Sequence, residues 1–304
     1  MKKLSVVISA FNGEEKIEKC LESAKFADEI IVIDNSSIDN TRKIVEKYTQ
    51  NIISQKNDPT RIDQLKNIGF EKANGDWIFS LDQDEQITKE LVDEIKEVLN
   101  SNSSVSGYWV PRKNLIFGKW MEHTGWYPDY QLRLFNKGKG EFRENFVHQT
   151  LKVEGETTYL KNHLLHENYE TLSQFLNRAI NSYAPNEAEK LMSEGYAFSY
   201  FDAIKFPLKE FLNRFFNGEG YKDGFHGLML SILMAFYHFI VFANLWEIYK
   251  FKDEKDKDML KVVKTGFKDA SKELKYWVNT AEIKTNKNPI KKSFLRVKRK
   301  LSSK

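Results

Sequence analysis

Cysteine is all but missing. Among 304 residues only Cys20 carries a thiol, so no intrachain disulfide can form, which fits a reducing compartment. No Gly-x-Gly-x-x-Gly follows the first apolar run, and the usual dinucleotide fingerprint is thereby excluded. A small-residue cleavage site is missing too. Met1-Lys2-Lys3 and the apolar run 4–11 imitate a secretory leader, but the run passes straight into Asn12-Gly13-Glu14-Glu15 and reads as a first strand. Acid is absent from the end of the chain: residues 284–304 hold nine Lys or Arg and no Asp or Glu, although the net charge is only +4. What is abundant, 41% hydrophobic residues and 22 Phe, argues for a packed core and against disorder.

The stretch around which the chain is organised is Asp76-Trp77-Ile78-Phe79-Ser80-Leu81-Asp82-Gln83-Asp84-Glu85. Trp77, Ile78, Phe79 and Leu81 supply the near-continuous apolar run of a strand covered on both faces. Asp82 and Asp84 then lie two residues apart, where that strand would leave the sheet. In an open α/β sheet, ligands bind in the crevice beyond the carboxyl ends of the strands. Hard oxygen ligands there suit Mg²⁺ or Mn²⁺, an ion usually shared between one or two carboxylates and substrate phosphates. An acidic loop capping the helix that starts near Thr88 is the plainer alternative.

Strand and helix patterns alternate through the first hundred residues. Strands are expected at 4–9, 29–34, 51–54 and 76–81, with helical spacing at 14–25, from Asp39 through Ile44, Val45 and Tyr48, and at 61–72. Strict alternation predicts a parallel sheet with right-handed crossovers. The first two strands end in Asn12 and Asp34, short polar groups suited to a base and a ribose. A plain turn-forming Asp is the competing reading of Asp34.

After a helix at 88–99 and a Ser/Asn loop at 100–106, a strand returns at 108–111. Residues 118–135 then crowd Trp120, His123, Trp126, Tyr127, Asp129, Tyr130 and Arg133 together. Aromatic faces pack on the C–H surface of a sugar while carboxylates take its hydroxyls, so this segment suits sugar recognition; a satellite core is the alternative. His148 and His166 each follow a short apolar run and are candidate metal ligands, against the commoner structural role of a lone histidine.

Several of these pieces resemble the family 2 glycosyltransferases, whose nucleotide-sugar domain has the GT-A fold. They are Val7-Ile8-Ser9-Ala10-Phe11-Asn12-Gly13-Glu14, Ile33-Asp34-Asn35-Ser36-Ser37-Ile38-Asp39-Asn40-Thr41 and Asp82-Gln83-Asp84. Gly125-Trp126-Tyr127-Pro128-Asp129-Tyr130-Gln131-Leu132-Arg133-Leu134-Phe135 and Asp223-Gly224-Phe225-His226-Gly227-Leu228 resemble, more narrowly, the lipopolysaccharide core glucosyltransferases. The resemblance spans about residues 4 to 250. It implies an inverting, metal-dependent transfer of glucose from UDP to a lipopolysaccharide core or related lipid-linked saccharide. A polyprenyl-phosphate-linked or capsule precursor is the runner-up acceptor, and a non-catalytic nucleotide-sugar-binding protein the alternative of another class. The resemblance puts Phe11, Asn12, Glu14, Asp34, Lys66, Asp82 and Arg133 at the donor, Asp82 and Asp84 at the Mg²⁺ or Mn²⁺, Trp126 and Tyr127 at the acceptor, and Asp129 as catalytic base. Lys66-Asn67 departs from the Arg-Asn common in the family, replacing a fork by a point charge. Gln149 after His148 stands where relatives often carry Glu, which favours Asp129 as the base.

The expected organisation is α/β: a GT-A domain over 1–170 with a mostly parallel, Rossmann-like sheet (donor half 1–100, acceptor half 101–170), a helical, membrane-associating region over 171–283 and a basic tail over 284–304. Residues 228–246 are the most apolar run, nineteen long and near the ~20 needed to cross a bilayer. Spanning helix, core helix and interfacial helix compete there. Flanking aromatic helices and the basic tail favour a helix lying along the cytoplasmic face of the inner membrane, peripheral or monotopic. Nucleic acid is not expected as a partner, because carboxylates at the sheet end would repel phosphates.

Overall fold

Runs of β-branched residues are concentrated in the first half of the chain, and there they build one sheet. The computed structural model describes residues 2–58, 61–143, 150–253 and 258–302; His148 lies outside the described residues. The chain divides into two compact units, residues 1–116 with 127–168 and residues 117–126 with 169–304. The division falls beside residue 170, and the segment 117–126 groups with the second unit.

In the first unit the order is β1 (Leu4–Ala10), α1 (Ile17–Ala24), β2 (Glu29–Asp34), α2 (Thr41–Val45), β3 (Ile52–Ser54), α3 (Ile62–Leu65), α4 (Asn67–Lys72), β4 (Trp77–Asp82), β5 (Glu85–Ile87), α5 (Lys89–Asn100) and β6 (Gly107–Ile116). After β7 (Lys119–Trp120), which falls in the second unit, come β8 (Asp129–Asn136), β9 (Gly140–Glu141), β10 (Lys152–Val153), β11 (Thr157–Tyr159) and β12 (Leu164–Tyr169). The main sheet runs β3-β2-β1-β4-β8-β6-β12-β5. The GT-A expectation holds, with the sheet parallel from β3 to β4 and mixed beyond it. β3, β2, β1 and β4 are parallel neighbours, whereas β8 pairs antiparallel with both β4 and β6.

Both faces of the parallel half are covered, as the continuous apolar strands require. Leu4, Val6, Ile8 and Ala10 of β1 pack with α1 and α5 through Leu21, Leu91 and Ile95, while Val7 turns to the other face with Ile33, Phe70, Ile78 and Phe135. Each such side chain removed from water contributes about 1.5–3 kcal/mol. The helix expected over 61–72 is two short helices, broken where the Lys66 N–H bonds back to Asp63 O. Asp39 does not carry a long helix. It accepts the Thr41 and Glu14 N–H groups at the head of the five-residue α2.

The second unit is helical: α6 (Leu172–Arg178), α7 (Ala184–Ser193), α8 (Asp202–Leu212), α9 (Phe225–Ile248), α10 (Met259–Thr285) and α11 (Pro289–Ser302). Thr171 and Gln174 form a capping box at the head of α6. Gly227 sits where a Cβ would overlap the Gly220 carbonyl, so the start of α9 can approach the preceding turn only with glycine there. The segment expected as a basic tail is a helix over most of its length.

Candidate active site

β4 ends at Asp82, β5 begins at Glu85, and the tight turn between them carries Gln83 and Asp84. Gln83 reaches back to the loop after β1, where its amide accepts the Phe11 N–H at 2.8 Å and donates to Phe11 O at 3.1 Å. The antiparallel course of β8 brings its first residues to this same edge.

Charged groups are paired densely here. Lys66, at the break between α3 and α4, is buried and places Nζ 2.5 Å from Asp82 Oδ1 and 3.2 Å from Asp63 Oδ1. Arg133 of β8 donates from Nη2 to Asp82 Oδ2 at 2.7 Å and to the fully buried Glu85 Oε1 at 2.6 Å. Glu85 also takes Arg112 Nη1 at 3.3 Å and, through its other oxygen, the Asp82 N–H. Arg112 stands opposite Asp129 in the β6–β8 register and grips Asp129 Oδ2 from Nε and Nη2 at 2.9 and 2.6 Å. Asn114 Nδ2 donates to the same oxygen at 3.2 Å, and Gln131 Nε2 to Oδ1 at 2.9 Å.

Asn114 also joins this group to Asp84. Its Oδ1 lies 2.6 Å from His166 Nδ1, and His166 Nε2 is 3.8 Å from Asp84 Oδ2. Because the Asn114 amide donates to Asp129, its carbonyl oxygen faces the ring, so Nδ1 of His166 carries the proton. The other ring nitrogen, Nε2, then faces Asp84.

Burial pushes the Asp82 carboxyl up, but the Arg133 and Lys66 charges beside it hold it well below the usual range. Desolvation pulls the Lys66 ammonium down, yet Asp82 and Asp63 keep it above its ordinary value. Asp129 is raised by burial and lowered, with the larger result, by the Arg112 charge and by hydrogen bonds from Asn114, Arg112 and Gln131. Asp84 is lowered too, its contact with His166 outweighing burial. These four groups are therefore ionised at neutral pH. Lys66, Arg112 and Arg133 are thus interleaved with Asp63, Asp82, Glu85 and Asp129, while Asp84 faces His166.

A cavity of about 220 Å³ opens on this group, lined by Asp63, Asp82, Arg112, Gln131 and Arg133 among others. A wider, shallower hollow at the opposite ends of the strands is lined by Lys3, Asp28, Glu29 and Asn74. Its main carboxylate, Glu29, is already satisfied by Ser5 and Asn74. The paired charges lie beside the smaller cavity.

Among the described residues no three His, Cys, Asp or Glu side chains converge as a ready-made cage for a metal ion. Asp82, one expected ligand, is held by two cationic side chains. Asp84 and the facing His166 Nε2 are the remaining candidate donors. An ion of the Mg²⁺ type needs little more from the protein when substrate phosphates supply further oxygens. The residues fit a cation that arrives with a diphosphate.

Lys66, Asp82, Arg133 and Asp129 are thus brought together, and Asp84 and His166 are tied to them through Asn114. The other expected donor contacts lie on the ends of β1 and β2 and are engaged locally. Asp34 Oδ1 accepts the Ser37 N–H, Asn12 Oδ1 the Ile38 N–H, and Glu14 Oε2 both the N–H and the amide of Asn40. Tyr127 belongs to the first unit, its ring edge-on to His163. Trp126 belongs to the second, against Tyr169 and under the Arg214 guanidinium. Arg112, Asn114 and Glu85 were not foreseen as site residues. Arg112 and Asn114 share one strand face, but Lys113 between them makes the sequence a plain polar run, and only the pairing of β6 with β8 aims them at Asp129.

Residues 5–153 match the family described as "Glycosyl transferase family 2". Over 268 residues the chain is 28% identical to an uncharacterised glycosyltransferase of Rickettsia typhi, covering 82% of this chain and 88% of that one. Over 254 residues it is 25% identical to the lipopolysaccharide core biosynthesis glycosyltransferase LpsC of Rhizobium meliloti, covering 82% and 94%. Among solved structures it is similar to S. aureus TarS 1–349 in complex with UDP-GlcNAc, with a TM-score of 0.43, 16% identity and coverage of 84% and 94%. With its carboxylates gathered at the ends of parallel strands, the chain carries over residues 5–153 a glycosyl transferase family 2 domain.

Proposed function

We propose that the first unit moves glucose from UDP-glucose to a hydroxyl of a lipopolysaccharide core or related lipid-linked saccharide, with inversion at the anomeric carbon, at the cytoplasmic face of the inner membrane. The observation that carries this reading is the ionised Asp129, held by Arg112, Asn114 and Gln131 on the same edge as Lys66, Arg133 and Asp84. The acceptor hydroxyl gives its proton to Asp129 as its oxygen bonds to the anomeric carbon and the bond to the diphosphate breaks. A base this strongly stabilised as carboxylate is weak, so its contribution rests on position and on being charged at every physiological pH. Arg112 keeps it oriented. Lys66 and Arg133 sit where negative charge grows on the departing diphosphate, and the buried Nε of Arg133 has no acceptor among the described residues.

Asp84 and His166 would hold a divalent cation, which when bound neutralises the leaving diphosphate. A cation there would offset the Asp84 charge, which otherwise repels an approaching diphosphate. Asp82 acts through Lys66 and Arg133, holding both by ion pairs at the end of β4. Phe11, Asn12, Glu14 and Asp34 frame the nucleoside on the ends of β1 and β2, and Tyr127 of the same unit receives the acceptor sugar. The similarity to LpsC supports the acceptor class. The test is hydrolysis of a panel of nucleotide sugars with Mg²⁺ or Mn²⁺. UDP-glucose should be cleaved in preference, and only with metal; cleavage of no UDP-sugar, or undiminished cleavage in a chelator, overturns the assignment.

A further inference from the structure

Helix α11 leaves one face bare. Ile290, Phe294, Val297 and Leu301 are 80%, 62%, 59% and 69% exposed. At about 100° per residue they fall within roughly 60° of one another, a single stripe along the helix. The opposite side is seated: Leu295 is buried, and the Arg299 guanidinium lies over the Tyr276 ring of α10 at 5.7 Å. Asn288 fixes the helix start by accepting the N–H groups of Ile290 and Lys291. The stripe is therefore held outward by the packing of its own helix.

Its flanks decide what it fits. The helix carries Lys291, Lys292, Arg296, Lys298, Arg299 and Lys300 and no acid. By the same helical spacing Lys291 and Lys298 border the stripe on one side, Arg296 and Lys300 on the other. A second copy of this chain would bring six more positive charges against these. A nucleic acid would meet the charge but leave the apolar stripe in water. An anionic lipid surface satisfies both, taking the stripe into the acyl boundary and the flanking ammonium and guanidinium groups at the phosphates. The same unit shows a second bare apolar stripe on α9, formed by Phe225, Met229, Ile232, Phe236, Phe239 and Trp246, while Leu230, Val241 and Leu245 of that helix are buried.

We propose that α11 is an amphipathic anchor that docks this protein on anionic phospholipid, with Ile290, Phe294, Val297 and Leu301 inserted and the basic flanks on the headgroups. It deepens the reading of a lipid-linked acceptor by naming the surface that would meet the membrane.

The test is co-sedimentation of the full chain with phosphatidylcholine vesicles and with vesicles containing phosphatidylglycerol, at low and high salt. Binding should be at least about tenfold tighter to the anionic vesicles and fall with salt. Phe294→Ser with Val297→Ser should weaken it by about tenfold or more, as should Lys291→Glu with Lys298→Glu. All four positions lie outside the buried core, and circular dichroism checks that the variants keep their helix content. Equal binding to neutral vesicles overturns the proposal. So does unchanged binding by the Phe294/Val297 variant, the result expected if charge alone, as toward nucleic acid, were acting. Sedimentation of the wild type as a dimer that this variant dissolves overturns it as well, because the stripe would then belong to a second copy. Hydrolysis of free UDP-glucose by the variants separates the two readings: it should not change, and its absence in the wild type would count against the transferase assignment, not against the anchor.

Discussion

At the carboxyl edge of the first unit, charged side chains are inside and paired; on α9 and α11 of the second, apolar side chains are outside and bare. Lys66, Glu85 and Arg133 are nearly withdrawn from solvent, each within hydrogen-bond reach of an opposite charge. Phe225, Ile290 and Leu301 are more than two-thirds exposed. Solvated charges and scattered surface apolar groups need no explanation, whereas a buried polar network and a contiguous bare apolar stripe do. The first is costly to assemble and is the mark of a site; the second is costly to leave uncovered and is the mark of a surface awaiting a partner. Reading the two regions by the same rule separates where chemistry is done from where the protein is held.

The sharpest way to test the first half of this contrast is Asp129→Asn. It should lower kcat about 10²–10⁴-fold in a UDP-glucose transfer assay while leaving donor affinity unchanged, because the amide keeps the shape but cannot take a proton. Wild-type turnover would remove Asp129 from the mechanism.

Next in size is Arg133→Ala. It strands Glu85 and Asp82 without their shared cation and should cost about 3–5 kcal/mol in urea denaturation. A loss under 1 kcal/mol would mean that the pairing is not holding the edge together.

Asn114→Ala should weaken Mn²⁺ binding in the presence of UDP about 10–100-fold by calorimetry, since it removes the Asn114 contact that orients the His166 ring. Unaltered affinity would detach that pair from the metal.

The dependence of stability on pH follows from the same charges. Asp82 has a folded pKa below its ordinary 3.8, so its stabilisation is present above that value and lost as pH falls through the depressed one. Lys66 is raised above its ordinary 10.5, so its share is present below that value and lost as pH rises through the elevated one. Between about pH 5 and pH 10 this network should contribute a plateau in thermal unfolding; a slope centred near neutrality would mean another group dominates.

The smallest effect tests the second half of the contrast. Phe236→Ser, on the bare stripe of α9, should change stability by less than about 0.5 kcal/mol. A loss of several kcal/mol would show that the stripe is packed in solution.

Much of the first unit was legible in the chain. The apolar run of β4 and the Asp82/Asp84 pair behind it are local patterns, and so are the β1, α1, β2 and α5 spacings. Less legible was what each carboxylate does. Asp82 reads equally well as metal ligand or as counter-charge, and its partners come from 16 and 51 residues away. Arg112 in isolation is one more basic residue on a strand.

Local periodicity is written residue by residue, so the sequence by itself determined the alternating elements, the carboxylates at a strand's exit, the apolar helix after Gly224 and the basic end of the chain. Only the tertiary structure decided that Asp82 spends its charge on Lys66 and Arg133, that Asp129 is held ionised by Arg112, and that α9 and α11 each bury one side and bare the other. Strand register and helix facing are set by contacts between distant segments, and no single segment contains them.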